Sequence, residues 1–192
     1  MYSMRRLTIG ILVFTLFTPA ARQRTIRAQS AQAVKTVNRR GAKVFYYENP
    51  PVVAVAATFY VIGSQQDSMW RDFLALTANF VVRGWTVTEP QFVQFHFVSS
   101  TRTKGGKYGT NHRLTILTDG ELLLSADLVV GPPVPNRRGG SVETLALPQM
   151  SFKHFAELAQ AKEVRMRLGS TEFKMKNKHL EALRSMLTSI GS

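Results

Sequence analysis

Three kinds of hydrophobic pattern follow one another along this chain. The first is a predominantly apolar run, Leu7 to Ala20, preceded by Arg5 and Arg6 and followed by small and basic residues. At about 14 residues the run is short of the roughly 20 that a membrane-crossing helix needs. Basic start, apolar centre and small residues are the layout of a secretory signal, so residues 1–33 are expected to be a signal peptide and its cleavage region. Two cleavage points compete. Thr18-Pro19-Ala20 lies close to the apolar run, whereas Ala31-Gln32-Ala33 has the better spacing of small residues but leaves Arg22, Arg24 and Arg27 before it. The Arg5-Arg6 pair departs from a twin-arginine signal, because Thr8 stands where that signal prefers a large apolar side chain.

The second pattern has a period of two. Val52 to Ile62 is rich in Val, Ala, Phe and Tyr, and Leu74, Leu76, Ala78, Phe80 and Val82 alternate with Ala75, Thr77, Asn79, Val81 and Arg83. Val93, Phe95 and Phe97 repeat the signal, with Gln94 and His96 on the other face. These are half-buried strands. Ser100 to Asn111, with Gly105, Gly106 and Gly109, is expected as a mobile loop. Asp119-Gly120 between apolar runs favours a two-residue type I′ turn, since both central residues need positive φ. A regular hairpin on that turn pairs Thr118 with Glu121, Ile116 with Leu123 and His112 with Asp127. A second polar loop, Gly131 to Gly140, leads to a short segment at Val142 to Leu147. Ahead of these strands, residues 34–51 are basic (Lys35, Arg39, Arg40, Lys43) with one apolar patch at Val44 to Tyr47, and are expected as a tether, with room for one short strand, to one domain over 52–192.

The third pattern is helical. Ser151 is placed to cap a helix in which Phe152, Phe155, Leu158 and Ala159 share a face, ending near Ala161. Val164, Met166 and Leu168 then alternate with Arg165 and Arg167, and Phe173 and Met175 with Lys174 and Lys176, across Gly169-Ser170. A two-residue loop there sets Arg167 opposite Glu172, but also Arg165 opposite Lys174, a like-charge pair that a longer loop would avoid. Asn177 is placed to cap a last helix with Leu180, Leu183, Leu187 and Ile190 on one face. The fold class is α+β: mainly antiparallel sheet, open to a sandwich-like arrangement, with two short helices near the C-terminus.

The run Phe155-x-x-Leu158-Ala159-x-Ala161-x-x-Val164-x-x-Arg167-x-Gly169-x-x-x-Phe173, followed by Leu180-x-x-Leu183, resembles the C-terminal part of a domain of unknown function in secreted bacterial proteins. The similarity extends back through Gly84, Pro90 and Asp119-Gly120. It implies a sheet followed by helix, hairpin and helix, and an exported setting; it implies no activity.

Composition sharpens this. With 192 residues, 44% of them hydrophobic, the chain is large enough for one ordinary core. Cysteine is absent, which excludes a disulfide framework, thiolate metal sites, a cysteine nucleophile and a lipoprotein anchor. Net charge is +13; removing residues 1–33, with five Arg and no acid, leaves an excess of eight positive charges.

Catalytic motifs are missing. There is no Gly-x-Ser-x-Gly elbow and no phosphate-binding Gly loop followed by Lys-Ser or Lys-Thr. The four His (96, 112, 154, 179) form neither His-x-His nor His-Glu-x-x-His, so no metal and no cofactor is expected. The 12 acids are spread singly rather than paired as glycoside hydrolysis requires. His112 with Asp127 is the one candidate catalytic pair, since a carboxylate beside an imidazole fixes its tautomer and raises its basicity. A polar cross-strand pair is the plainer reading. Trp70, Trp85, Tyr46, Tyr47 and Tyr60 read as strand packing before they read as a ligand surface.

The basic clusters carry the remaining functional content. Arg102, Lys104, Lys107 and Arg113 gather at the glycine loop, Arg137 and Arg138 tip the second loop, and Lys174, Lys176 and Lys178 follow one another near the last helix. The expected function is an exported, non-catalytic binding or structural protein. Its expected partners are anionic lipid headgroups or envelope polysaccharide, reached through Arg102, Lys104, Lys107 and Arg113. Nucleic acid is set aside on the export signal, and no transmembrane helix is expected in the mature chain. The alternative is a secreted hydrolase using His112 and Asp127.

Overall fold

The computed structural model describes residues 33, 35–48, 50–63, 72–102, 104–136 and 139–190. The signal segment expected over 1–33 lies, but for Ala33, outside the described residues. The chain runs through β1 (Lys35–Arg39), β2 (Ala42–Tyr47), β3 (Val52–Ile62), β4 (Phe73–Arg83), β5 (Phe92–Thr101), β6 (Arg113–Thr118), β7 (Glu121–Asp127), β8 (Val129–Val130), β9 (Val134–Pro135), β10 (Ser141–Ser151), α1 (Phe152–Gln160), β11 (Val164–Leu168), β12 (Thr171–Lys174) and α2 (Asn177–Leu187). The strands pair antiparallel in two sheets. The larger has the order β1-β2-β3-β4-β5-β10-β8, with β9 also on β10; the smaller has the order β12-β11-β6-β7. This is the α+β class that the periodicity predicts.

The period of two becomes one dry face on the large sheet. Val53, Val55, Ala57 and Phe59 of β3, Leu74, Leu76, Ala78 and Phe80 of β4, and Val93, Phe95 and Phe97 of β5 are buried there. A mixed layer packs on it: α2 against β2 and β3, α1 against β5, β10 and α2, and β12 against β3. Helices and the β12 strand of the small sheet therefore both pack on the large sheet. The core is continuous, with Leu114, Ile116, Val164, Met166 and Leu168 of the small sheet in the same cluster as the β3 to β5 residues. Phe95 meets Phe155 of α1 edge to face at 6.4 Å. Fully buried side chains such as Phe80, Phe97 and Leu158 each contribute about 1.5–3 kcal/mol to folding.

Within residues 34–51, the expected tether is two strands instead. Lys35–Arg39 and Ala42–Tyr47 form a hairpin, and β2 pairs with β3 along its whole length. Ala42 and Val44 are in the core, while the exposed Lys35 and Lys43 keep the rim charged, which guards an edge strand against further pairing. The short segment expected at Val142 to Leu147 is likewise longer: β10 spans Ser141–Ser151 and runs straight into α1. Ser151 caps that helix as its sequence position predicts, its Oγ accepting the His154 N–H at 3.2 Å. Among the described residues no helix is long and apolar enough to cross a membrane.

Candidate functional site

The glycine-rich segment between β5 and β6 carries the chain from the large sheet to the small one. Part of the loop that its composition marks as mobile is hydrogen-bonded to the large sheet, at Lys107 and Tyr108. Glu143 of β10 stands opposite Ser99 of β5 and is 1% exposed. Its carboxylate accepts the Lys107 N–H at 2.6 Å and the Tyr108 N–H at 3.1 and 3.2 Å. Backbone N–H groups that converge on an ionised acceptor make strong bonds, and a carboxylate left without them in the interior would be costly. Gly106, at φ +87, is obligatory here, because a Cβ on it would overlap the Glu143 carboxylate. The Tyr108 ring is buried, and its hydroxyl donates to Thr171 Oγ1 at 3.2 Å, fastening the loop to the β11–β12 hairpin.

The basic side chains around this clasp face solvent. Arg102, Lys104, Lys107 and Arg113 are all exposed. The Arg102 N–H donates to Asp72 Oδ1 at 3.2 Å, and Lys107 Nζ lies 5.4 Å from the centre of the Tyr108 ring. Arg113 is set apart from the other three: it belongs to β6, its Nε donates to Ser125 Oγ at 3.0 Å, and it stands opposite Asp127. The second basic loop is stitched to the same end of β5. Asn136 Nδ2 donates to Thr101 O at 2.9 Å and Ser100 Oγ at 3.4 Å, while its Oδ1 accepts the Gly140 N–H at 3.0 Å. Arg137 and Arg138 lie outside the described residues.

The His112–Asp127 pairing is corrected by a bulge. From the Asp119-Gly120 turn, with φ of +51 and +92, the pairs run Thr118–Glu121 and Leu117–Leu122, then Ile116–Leu124. Leu123 is the extra residue, so Asp127 faces Arg113 rather than His112. Side chains alternate along a strand, which puts His112 on the other side from Asp127. His112 Nδ1 is buried without a hydrogen-bond partner among the described residues, and its carbonyl accepts the Leu128 N–H at 3.1 Å. His96 shares a face with Gln94, as the alternation predicts; its Nε2 is 3.5 Å from Gln94 Oε1, and burial lowers its pKa. Among the described residues no three His, Asp or Glu side chains converge as a metal site would require.

One histidine takes a buried place that its spacing in the sequence does not announce. His179 is 2% exposed and stacks on Phe59 of β3, with ring centroids 4.6 Å apart and planes 11° apart. It sits at the third position of α2, where its Nδ1 accepts the Lys176 N–H at 3.3 Å, while Nε2 has no partner among the described residues. Burial, with Lys178 and Lys176 nearby, pushes its pKa down to about 4. The ring is thus a neutral packing surface near neutral pH. Lys176, not Asn177, is the N-cap residue of that helix. Of the aromatic candidates, Trp85 is 54% exposed, Tyr60 packs edge on to Phe73 at 5.6 Å, and Trp70 lies outside the described residues.

Comparison of the chain with family models, with curated proteins and with solved structures finds no match in any of the three.

Proposed function

We propose that the protein is an exported, non-catalytic binding module of the periplasm or the extracellular space, which engages anionic lipid headgroups or acidic envelope polysaccharide through the Arg102, Lys104 and Lys107 loop, with Arg113 at its margin. The observation that carries this reading is the Glu143 clasp. It holds the backbone of Lys107 and Tyr108 in place, so cations on this loop lose less conformational freedom on binding than cations on a slack one. The excess of positive charge beyond the signal segment supports the same polarity of partner. The hydrolase alternative has no comparable support, since Asp127 faces Arg113.

The test is binding of the chain from residue 34 onward to anionic vesicles, neutral vesicles and an acidic polysaccharide across a salt series. Binding is expected to the anionic partners alone and to weaken steeply with salt, because exposed charges are screened within about 8 Å at physiological ionic strength. Replacing Arg102, Lys104, Lys107 and Arg113 together with Gln is expected to remove most of it with the circular dichroism unchanged. Binding that ignores salt, or survives the quadruple change, rejects the surface. Export is checked by N-terminal sequencing from the native host: a start near residue 21 or 34 supports it, and an intact Met1 in the soluble fraction refutes it.

A further inference from the structure

The β1–β2 turn and α2 enclose a second basic feature, made of other residues than the loop cluster. The turn is Arg40-Gly41, with φ of +33 and +91. It lies against the helix: Gly41 leaves just enough room for the Ala182 methyl, and Ser185 Oγ donates to Arg40 O at 3.5 Å. Between turn and helix is an open concavity of about 630 Å³ lined by Arg39, Arg40, Arg184, Glu181, Ser185 and Thr188 among others.

Arg184 is set in place before any ligand arrives. Its Nε donates to Ala159 O and its Nη2 to Ala161 O, both at 2.9 Å, at the end of α1. A guanidinium has five N–H donors in a rigid plane, so the fork left over is oriented rather than floppy. The C-terminal carbonyls of α2, which would otherwise repel an anion, are already engaged. Thr188 N bonds Arg184 O at 3.0 Å, Ser189 N bonds Met186 O at 3.2 Å, Ile190 N bonds Leu187 O at 3.1 Å, and Ser185 O takes the Thr188 and Ser189 hydroxyls at 3.2 and 2.8 Å.

Arg40 is the second, independent observation. The first position of a type I′ turn favours Asn, Asp or Gly, and a positive φ strains any side chain of this size. No hydrogen bond or ion pair among the described residues engages the Arg40 side chain, so local structure does not account for an arginine there. Backbone strain kept at such a position points to a task for the side chain. Three guanidinium groups against the Glu181 carboxylate leave two positive charges unmatched, which a dianion answers and a single carboxylate does not. Arginine forks fit the tetrahedral oxygens of phosphate, and the volume falls in the range of small-molecule pockets, about 300–1,000 Å³, with space for more than a bare ion.

We propose that the concavity between the β1–β2 turn and α2 is a binding site for a phosphomonoester, held by Arg39, Arg40 and Arg184. The ester is either a free metabolite or a lipid headgroup; the chemistry is shared, and the experiment separates them.

The full chain is titrated calorimetrically, in about 0.15 M salt to screen diffuse attraction, with inorganic phosphate, glycerol 3-phosphate and the diester dimethyl phosphate. Saturable binding of glycerol 3-phosphate, at least tenfold tighter than the diester, is expected. Arg40→Asn is the chosen variant because Asn accepts the left-handed backbone, so the turn survives without the charge. It is expected to bind at least tenfold more weakly with a melting temperature unchanged or raised, and Arg39→Gln is expected to weaken binding as well. Vesicles with phosphatidic acid are then compared with vesicles of phosphatidylglycerol. Preference for the former, lost in Arg40→Asn, assigns a lipid ligand; glycerol 3-phosphate binding without that preference assigns a free one. The proposal is overturned by absence of saturable phosphomonoester binding, by equal affinity for monoester and diester, or by full affinity in Arg40→Asn.

Discussion

Asp119 and Glu163 are joined twice: the Asp119 N–H donates to Glu163 O at 2.8 Å, and the Glu163 N–H donates back to Asp119 Oδ1 at 2.8 Å. The same carboxylate accepts the Lys162 N–H at 3.0 Å. One side chain therefore secures the connection from α1 to β11, while its backbone, at φ +51, turns the β6–β7 hairpin.

The two duties separate by mutation. Asp119→Ala loses both, at a cost of about 1–2 kcal/mol for the left-handed backbone and about 1.5–3 kcal/mol for hydrogen bonds to a charged acceptor. Asp119→Gly keeps the turn and loses only the bonds. Asp119→Asn keeps the turn and one acceptor. Urea denaturation is expected to rank the losses Ala, then Gly, then Asn; a Gly variant as stable as the parent shows that the bonds contribute nothing.

Glu143 offers a similar dissection of the basic loop. Glu143→Gln presents an amide N–H₂ group to backbone donors, so one bond is lost and a donor is left facing a donor. A loss of about 1–3 kcal/mol is expected, with faster hydrogen exchange at the Lys107 and Tyr108 amides. Gly106→Ala is expected to produce the same exchange signature by steric overlap. Unchanged protection in both variants shows that the loop is ordered by Tyr108 alone.

His179 sets a pH dependence whose sign follows from its lowered pKa. The unfolded chain takes up this proton near the ordinary value of about 6.5, and the folded protein only near 4. The contribution is therefore fully present above the unfolded value, falls as pH drops from about 6.5 to 4, and is then exhausted. It is on the order of 2–3 kcal/mol. Comparing urea midpoints of parent and His179→Leu at pH 7.5 and 4.5 isolates it: the parent is expected to lose more than the variant. Parallel losses in both attribute the acid sensitivity to other groups.

Much of the fold was legible because the pattern and the packing agree. Asp119-Gly120 marks its turn by chemistry, and β4 and β5 show their buried faces by alternation. The failures have physical causes. Leu122, Leu123 and Leu124 are all apolar, so no alternation betrays which of them is the bulge, and the His112–Asp127 pairing slips by one residue. Arg40-Gly41 carries no turn signal at its first position, which hid the β1–β2 hairpin. The like-charge pair Arg165–Lys174 does form, on a two-residue loop with positive φ at Gly169 alone. It is tolerated because Glu163 takes Arg165 Nε at 2.6 Å and also the Lys174 ammonium, which together lower the carboxyl pKa. That third residue lies outside both strands, where cross-strand reasoning does not look. Of the candidate site, the loop cations were legible in the sequence. The clasp was not, although Glu143, the one acid of β10, is the mark it left.

The order of the strands has a consequence for how such a chain is made. β5 and β10 are neighbours in the large sheet, yet the β6–β7 hairpin is built between them, and its partner β11 comes only after β10 and α1. A nascent chain ending before Val164 leaves β6 with an open hydrogen-bonding edge and the large sheet without α2. Such edges recruit other chains, and pairings this distant in sequence close slowly. Until those last residues emerge, the open β6 edge and the uncovered face of the large sheet are where the unfinished chain is most exposed to pairing with other chains.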